Sequence, residues 1–104
     1  MRISLVVCVF NEEENILPLA EQIINALDAF DFEAIFVDDG STDSTRERIR
    51  EIKDNRFLIV ELKKNYGQSS ALQAGIDMAT GEYIVTLDGD LQNDPSDIPM
   101  MIDL

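Results

Sequence analysis

Two carboxylates lie close together at the end of a strongly apolar segment. The segment reads IVTLDGDLQNDP from Ile84 to Pro95, and only Gly89 separates Asp88 from Asp90. Carboxylates this close repel one another, and the pKa of at least one rises unless a cation lies between them. Oxygen ligands without histidine or cysteine are typical of Mg²⁺ or Mn²⁺ sites. The pattern therefore predicts a divalent cation here, with phosphate oxygens or water completing its shell.

Two more polar loops follow apolar segments earlier in the chain. FNEEEN begins at Phe10, and DDGSTDST begins at Asp38. Loops that follow parallel strands meet at one edge of the sheet, where open α/β folds bind their ligands. Asp, Asn and Gly are also ordinary turn formers, so one such loop alone is weak evidence. Three acidic loops together favour a binding site that contains Asp38, Asp39, Asp88 and Asp90.

Four apolar segments predict the strands that bring these loops together. They cover residues 3–10, 33–39, 57–63 and 82–88. Near-continuous apolar runs are typical of parallel strands that are covered on both faces. The connections between them have helical spacing and are long enough for crossover helices. We therefore predict an α/β fold with a mostly parallel, Rossmann-like sheet and helices on both faces.

Local signals predict the ends of the connecting helices. Ser44 and Glu47 form a capping box that predicts a helix beginning at Ser44. Gly81 is positioned to end the third helix. The charged residues of the second helix predict an exposed face with local ion pairs; they are Arg46, Glu47, Arg48, Arg50 and Glu51.

The C-terminal segment DPSDIPMMIDL predicts a helix that begins at Asp94–Pro95 and stops after a few residues. This early stop gives the chain the look of a truncated domain. If the helix normally packs on further sequence, its apolar side chains would form a patch that favours self-association. Those side chains are Met100, Met101, Ile102 and Leu104.

Composition excludes several classes of protein. A chain of 104 residues is one domain, and its net charge of −13 disfavours a nucleic-acid partner. The absence of histidine removes the commonest general base. Cys8 is the only cysteine and can form no intramolecular disulfide, which suits a reducing cytosol. No apolar run is long enough to span a bilayer, so we expect a cytoplasmic chain without a transmembrane segment.

The nature of the ligand follows from the motifs that are missing. Neither GxxxxGK[ST] nor GxGxxG occurs, so the chain lacks both common glycine-rich phosphate loops. The charge of an anionic ligand must then be met mainly by the metal ion, assisted by loop amides. A nucleoside diphosphate that carries a sugar fits this arrangement. Its pyrophosphate would bind the metal, and its base and ribose would lie over the ends of the first two strands.

Four motifs resemble, in order and spacing, those of the family 2 glycosyltransferases. They are VVCVFNEEENI, FVDDGSTDST, KKNYGQSSALQAGIDMATGEYIVTLDGDLQNDP and DIP. The chain is most similar to polyprenyl-phosphate hexosyltransferases of the dolichol-phosphate mannose synthase and bactoprenol glucosyltransferase type. Asp88-Gly89-Asp90 stands where this family has its DxD motif. The resemblance implies a GT-A fold, with residues 1–104 forming the N-terminal part that binds the donor nucleotide.

The resemblance also implies a role for each matching position. Asp38 would meet the base, Asp88 would lie toward the ribose and sugar, and Asp90 and Gln92 would ligate Mn²⁺ or Mg²⁺. The implied nucleotide-sugar-binding residues are Val9, Phe10, Asn11, Glu12, Asp38, Lys64, Asn65, Gly67, Asp88 and Gly89. The implied catalytic residues are Asp88 and Asp90.

The implied reaction moves a hexose from a UDP- or GDP-sugar to an acceptor, with inversion at the anomeric carbon. The acceptor of this type of enzyme is dolichyl or undecaprenyl phosphate, which would be reached through sequence missing here. Complete members are often associated with the cytoplasmic face of a membrane. The sequence leaves open the sugar, the base, the acceptor and whether this fragment only binds the donor.

Two alternatives come from other functional classes. One is a non-catalytic nucleotide-binding or assembly module. The other is a receiver-type signalling domain, which accepts a phosphoryl group on an aspartate beside Mg²⁺. A receiver has its acidic pair after the first strand and needs a lysine after a later strand. Here the pair follows the second strand, and no lysine occurs beyond Lys64.

Overall fold

Strands and helices alternate strictly along the chain. The computed structural model describes residues 2–88, with the backbone alone at Asp88. The elements are β1 (Arg2–Val9), α1 (Ile16–Leu27), β2 (Asp31–Asp38), α2 (Thr45–Arg50), β3 (Phe57–Glu61), α3 (Gln68–Met78) and β4 (Tyr83–Asp88). All four predicted strands are present within two residues of their predicted starts and ends. The predicted α/β class is therefore confirmed.

The four strands form one parallel sheet in the order β3-β2-β1-β4. After β1 the chain adds β2 and β3 on one side and then crosses to place β4 on the other. In an open α/β sheet, ligands bind outside the carboxyl ends of the strands where the order reverses. That point lies here between β1 and β4. We call the side of the sheet at which the four strands end the carboxyl edge.

The strand order also decides against the receiver alternative. Receiver domains have the flavodoxin-like order 2-1-3-4-5, in which the third strand is next to the first. Here β3 pairs with β2 and β4 pairs with β1. The chain therefore has the topology of a Rossmann half and differs from that of a receiver.

Each face of the sheet has its own apolar core, because successive side chains of a strand point to opposite faces. Leu5 and Val7 belong to the larger core, which also contains Leu19 of α1 and Ile49 of α2. Val6 belongs to the smaller core with Ala71 of α3, Ile35 and Val37. The predicted placement of helices on both faces is thus confirmed.

The prediction that all strands are covered on both faces is wrong for the outer two. Within residues 2–88, β3 and β4 are the edge strands of the sheet. Their side chains at Leu58, Tyr83 and Ile84 are 39%, 49% and 44% exposed. An apolar run identifies a strand from local sequence, whereas its coverage depends on what packs beside it.

The predicted start of the second helix at Ser44 is confirmed, because Ser44 occupies the N-cap position of α2. The predicted capping box is wrong, since the Ser44 side chain makes no capping hydrogen bond, and so is the predicted end of the third helix at Gly81. Asp43 caps α2 instead: its Oδ1 accepts hydrogen bonds from the backbone N–H of Thr45 at 2.9 Å and from the Thr45 hydroxyl. Helix α3 ends at Met78, so Gly81 lies in the connection that leads to β4.

Within residues 2–88, every helix is too short or too polar to cross a membrane. The predicted C-terminal helix at Asp94–Pro95 and its apolar patch lie outside the described residues.

Candidate functional site

The ends of β1, β2 and β4 lie side by side at the carboxyl edge. Val9 pairs with Asp38 of β2, and Cys8 pairs with Asp88 of β4. The backbones of Asp38 and Asp88 therefore flank β1, about 10 Å apart at two strand spacings. The predicted sharing of one edge is confirmed for these two positions. Gly89, Asp90 and Gln92 lie outside the described residues.

Asp38 and Asp39 are neighbours in sequence but serve different faces of the sheet. The Asp38 carboxylate is fully buried and pairs with Arg46 of α2. Asp39 turns toward the segment that precedes α3, where it accepts hydrogen bonds from the backbone N–H groups of Tyr66 (2.8 Å) and Gly67 (3.1 Å). Extended backbone sends consecutive side chains to opposite faces, so one dipeptide stabilises two parts of the edge.

Arg46 is the main residue of this site that sequence reasoning missed. Its Nε donates to Oδ2 of Asp38, and its Nη2 donates to the backbone carbonyl of Leu62 after β3. The hydrogen bond to Asp38 raises the pKa of the Arg46 guanidinium above its ordinary value. The prediction of an exposed face is therefore wrong for Arg46, whose side chain is only 28% exposed.

One of the other two arginines of α2 makes a local ion pair of the kind that the sequence predicts. Arg48 pairs with Glu51 at 2.7 Å, three residues along the chain, whereas Arg50 pairs with Glu61 of β3. No spacing rule distinguished Arg46 from these two arginines. The available signal was positional, because Arg46 lies in the first turn of the helix that follows Asp38.

One oxygen of Asp38 has no hydrogen-bond partner among residues 2–88. Oδ2 accepts hydrogen bonds from Arg46 and from the backbone N–H of Ser41 at 3.2 Å. Oδ1 is buried and has no hydrogen-bond donor within the part of the chain that the structure describes. A buried acceptor without a partner costs about 1–3 kcal/mol, and such atoms are uncommon in folded proteins. Oδ1 is therefore suited to accept a hydrogen bond from a ligand.

The loop after β1 is fastened to the loop after β2. Asn11 has a positive φ of 51°, its N–H donates to Ser41 Oγ at 2.9 Å, and its Oδ1 accepts from the N–H of Thr42 at 2.8 Å. The N–H of Glu12 donates to Thr45 Oγ1 at 2.9 Å. The predicted site residues Asn11 and Glu12 are thus held against the segment that follows β2.

Two neighbours of Asn11 differ in their exposure. Val9 is buried in the core, whereas the ring of Phe10 is 43% exposed at the carboxyl edge. An exposed aromatic ring at a strand end offers a flat apolar surface for another ring. Phe10 can therefore contact a ligand directly, and Val9 can do so only through its backbone.

The remaining predicted positions lie in the loop between β3 and α3. Asn65 Oδ1 accepts a hydrogen bond from the N–H of Gly67 at 3.1 Å. The Lys64 ammonium lies 5.3 Å from the ring centre of Tyr66, which is 51% exposed. Because Asp39 binds the backbone of this loop, the loop after β2 determines where Lys64 and Tyr66 stand.

An open polar pocket of about 160 Å³ lies beside the β1 loop. Its lining residues are Asn11, Glu12, Glu13, Glu14, Asn15 and Asp43. Within residues 2–88, no group of three or more His, Cys, Asp or Glu residues has an arrangement that could hold a metal ion. The predicted metal ligands, Asp90 and Gln92, fall outside that range. Asp90 and Gln92 offer carboxylate and amide oxygens, and the chain has no histidine. Such an oxygen-only set of ligands fits Mg²⁺ or Mn²⁺.

Comparison with known proteins identifies the family. Residues 4–104 match the family described as "Glycosyl transferase family 2". The chain is 50% identical to dodecaprenyl-phosphate galacturonate synthase of Rhizobium johnstonii, over 98% of this chain and 32% of that protein. It is 41% identical to undecaprenyl-phosphate 4-deoxy-4-formamido-L-arabinose transferase of Proteus mirabilis, over 97% of this chain and 32% of that protein. The chain thus spans about a third of the length of these relatives.

Solved structures have the same fold. A mannosyltransferase of Pyrobaculum calidifontis, in complex with GDP-Man and Mn²⁺, matches with a TM-score of 0.77 and 28% identity, over 86% of this chain and 27% of that one. A second match is glucosyl-3-phosphoglycerate synthase of Mycobacterium tuberculosis in complex with Mn²⁺, UDP and phosphoglyceric acid. Its TM-score is 0.80 and its identity is 25%, over 98% of this chain and 38% of that one. These matches confirm the predicted GT-A fold. The chain belongs to glycosyltransferase family 2.

Proposed function

We propose that this chain is the donor-binding part of a glycosyltransferase that moves a hexose from a UDP- or GDP-sugar to a polyprenyl phosphate. One observation carries the proposal: Asp38 and Asp88 flank β1 at the carboxyl edge, where the strand order reverses. Residues 1–104 would form the single donor-binding domain. The names of the two relatives, both polyprenyl-phosphate sugar synthases or transferases, support the class of acceptor.

The nucleoside would lie over the ends of β1 and β2. Asp38 would accept a hydrogen bond from the base, and the exposed ring of Phe10 would contact it. Lys64, Asn65 and Gly67 would face the diphosphate and ribose. The Lys64 ammonium is exposed in a chain of net charge −13, so it is one of few cations available to a diphosphate.

Asp90 and Gln92 would hold Mn²⁺ or Mg²⁺ through oxygen atoms. The bound ion would supply Lewis acidity that stabilises negative charge on the leaving diphosphate. Asp88 would lie toward the ribose and sugar. Two similar solved structures, one in complex with GDP-Man and Mn²⁺ and one in complex with Mn²⁺ and UDP, support a divalent ion in this role.

A lipid phosphate acceptor fits the residues that are available for acid–base chemistry. A phosphate is already an anionic nucleophile and needs little general-base assistance. The chain contains no histidine, the commonest general base. The acceptor would bind through sequence beyond these residues, on the cytoplasmic side of the membrane that holds the lipid.

Calorimetric titration of the 104-residue chain tests the proposal. UDP and GDP are each titrated with and without Mn²⁺. We expect at least one of them to bind, and to bind more tightly with Mn²⁺. Failure of both nucleotides to bind in the presence of Mn²⁺ would overturn the proposal. A turnover assay with a nucleotide sugar and polyprenyl phosphate then separates transfer from binding alone, which is the behaviour of a non-catalytic module.

A further inference from the structure

The two oxygens of the Asp38 carboxylate are in different environments. Oδ2 accepts hydrogen bonds from Arg46 Nε and from the N–H of Ser41, whereas Oδ1 accepts none within residues 2–88. The whole side chain is 0% exposed, so water does not reach either oxygen. A ligand that donates to Asp38 would therefore meet a single desolvated acceptor.

Arg46 determines which oxygen remains free. Its guanidinium is planar and rigid, and it is held from the far side by the backbone carbonyl of Leu62. The N–H of Leu62 donates in turn to the backbone carbonyl of Asp38 at 3.0 Å. The guanidinium is thus fixed between the ends of β2 and β3, and it fixes the plane of the carboxylate.

We propose that Arg46 is a positioning residue for base recognition: it occupies Oδ2 of Asp38 and leaves Oδ1 as the one oxygen that accepts a hydrogen bond from a ring N–H of the base. This inference rests on the proposed function, because it concerns the nucleotide that the carboxyl edge binds. The base would displace the atoms that cover Oδ1. Since those atoms give Oδ1 no hydrogen bond, the exchange adds one.

The proposal makes base preference depend on the chemistry of one ring nitrogen. Uracil and guanine both have a ring N–H next to a carbonyl group, and that N–H can donate to Oδ1. The corresponding ring nitrogen of cytosine has no hydrogen and carries a lone pair. A lone pair that faces a carboxylate oxygen is repelled, so a cytidine nucleotide should bind poorly.

Substitution of Asp38 by asparagine should reverse this preference. Arg46 and the N–H of Ser41 are both donors, so they require the amide oxygen on their side. The amide NH₂ group then takes the position of Oδ1 and becomes a donor. A donor at that position suits cytosine and opposes uracil and guanine.

The experiment measures the affinities of UDP, GDP and CDP by calorimetry in Mn²⁺, for the parent chain and for Asp38→Asn, Arg46→Met and Arg48→Met. The reference nucleotide is whichever of UDP and GDP binds the parent more tightly. We expect the parent to prefer it over CDP by at least about tenfold, the effect of one hydrogen bond to a charged group. Asp38→Asn should reverse the preference. Arg46→Met should reduce it to about threefold or less.

Arg48→Met is the matched control, because Arg48 lies on the same helix and forms its ion pair with the exposed Glu51, away from Asp38. It should keep the parent preference. A folded Arg46→Met variant with the full parent preference would overturn the inference. If Arg46→Met does not fold, Asp38→Asn decides, and an unchanged preference in that variant overturns it.

The two proposals fail in different ways. A parent chain that binds neither UDP nor GDP removes the proposed function and this inference together. A parent chain that binds nucleotide, with variants that leave the preference unchanged, removes the role of Arg46 alone.

Discussion

Gly40 lies so close to Lys64 that a Cβ atom built on Gly40 would be 2.4 Å from the Lys64 carbonyl carbon. The same Cβ would be 2.5 Å from the backbone nitrogen of Asn65. Gly40 also has a positive φ of 78°, which is unfavourable for residues with a Cβ. The loop after β2 therefore contacts the loop after β3 backbone to backbone, and only glycine allows this approach.

Gly40→Ala should reduce the free energy of unfolding by about 2–4 kcal/mol, through backbone strain and steric overlap with atoms that cannot rotate away. Urea denaturation followed by circular dichroism measures the change. Gly67→Ala is the comparison, because Gly67 has a φ of 100° but its Cβ would have no atom within 4 Å. The loss at Gly40 should be the larger of the two. A Gly40→Ala chain as stable as the parent would contradict the close contact.

Asp43→Ala should destabilise the chain by about 1 kcal/mol, because it removes the acceptor that caps α2. Oδ1 of Asp43 accepts from the N–H of Thr45 at 2.9 Å. Ser44→Ala, at the position that the sequence pattern favours as the cap, should change stability by less than about 0.5 kcal/mol. Urea denaturation of the two variants distinguishes these assignments. A larger loss at Ser44 than at Asp43 would show that the capping box forms after all.

Glu33 should make stability depend on pH in the acidic range. Burial alone would raise the pKa of Glu33, but hydrogen bonds from Ser4 and Thr80 and the charge of Arg2 outweigh it, so its pKa lies below the ordinary 4.5. The unfolded chain therefore takes up this proton at a higher pH than the folded chain. The stabilisation is present above pH 4.5 and is lost as the pH falls through the lower pKa of the folded chain.

Glu33→Gln should lower stability near pH 7 by about 2 kcal/mol, because an uncharged amide replaces the buried acceptor of several hydrogen bonds. The difference between parent and variant should shrink as the pH falls below 4.5 and through the lower pKa of Glu33 in the folded parent. Urea denaturation near pH 7 and at a pH well below 4.5 measures the difference. Glu51→Gln, at an exposed surface pair with Arg48, is the control and should change little. An equal difference at both pH values would exclude Glu33 from the acid sensitivity.

Asp90→Ala should weaken nucleotide binding in Mn²⁺ by at least about tenfold, since the proposed ion would lose a carboxylate ligand. The circular dichroism spectrum should stay that of the parent. Calorimetry with and without Mn²⁺ measures the effect. Asp77→Ala is the control, because Asp77 is an exposed acid on α3 whose Oδ1 accepts from the side chain of Gln73 at 2.8 Å. Metal-dependent binding that survives in Asp90→Ala would remove Asp90 from the metal site.

Most of the fold was predictable from local sequence. An apolar run of strand length can be buried only as a strand or a core helix, and the polar loops at its ends indicate where it stops. Crossover helices make successive strands parallel, so the carboxyl ends of all the strands lie at one edge of the sheet. Asp38 and Asp88, which end their strands, therefore share that edge. The motifs likewise sufficed to identify the family, because they are stretches of contiguous residues.

Contacts between loops were not predictable in this way. The pairing of Asp38 with Arg46, the binding of the Tyr66 and Gly67 amides by Asp39, and the approach of Gly40 to Lys64 all join different elements of the chain. Arg46 and Arg48 look alike in the sequence, yet one is tied to a buried carboxylate and the other to an exposed one.

The sequence by itself determined which residues form strands, the edge at which the acidic loops meet and the family to which the chain belongs. Only the tertiary structure decided what each carboxylate at that edge binds. Asp38 pairs with Arg46 through one oxygen and has no donor to its other oxygen within residues 2–88. Asp39 binds the backbone of the loop before α3, and Asp43 binds the start of α2. The physical reason is that side-chain direction and burial depend on neighbours from distant parts of the chain, whereas strand formation depends on a short apolar run.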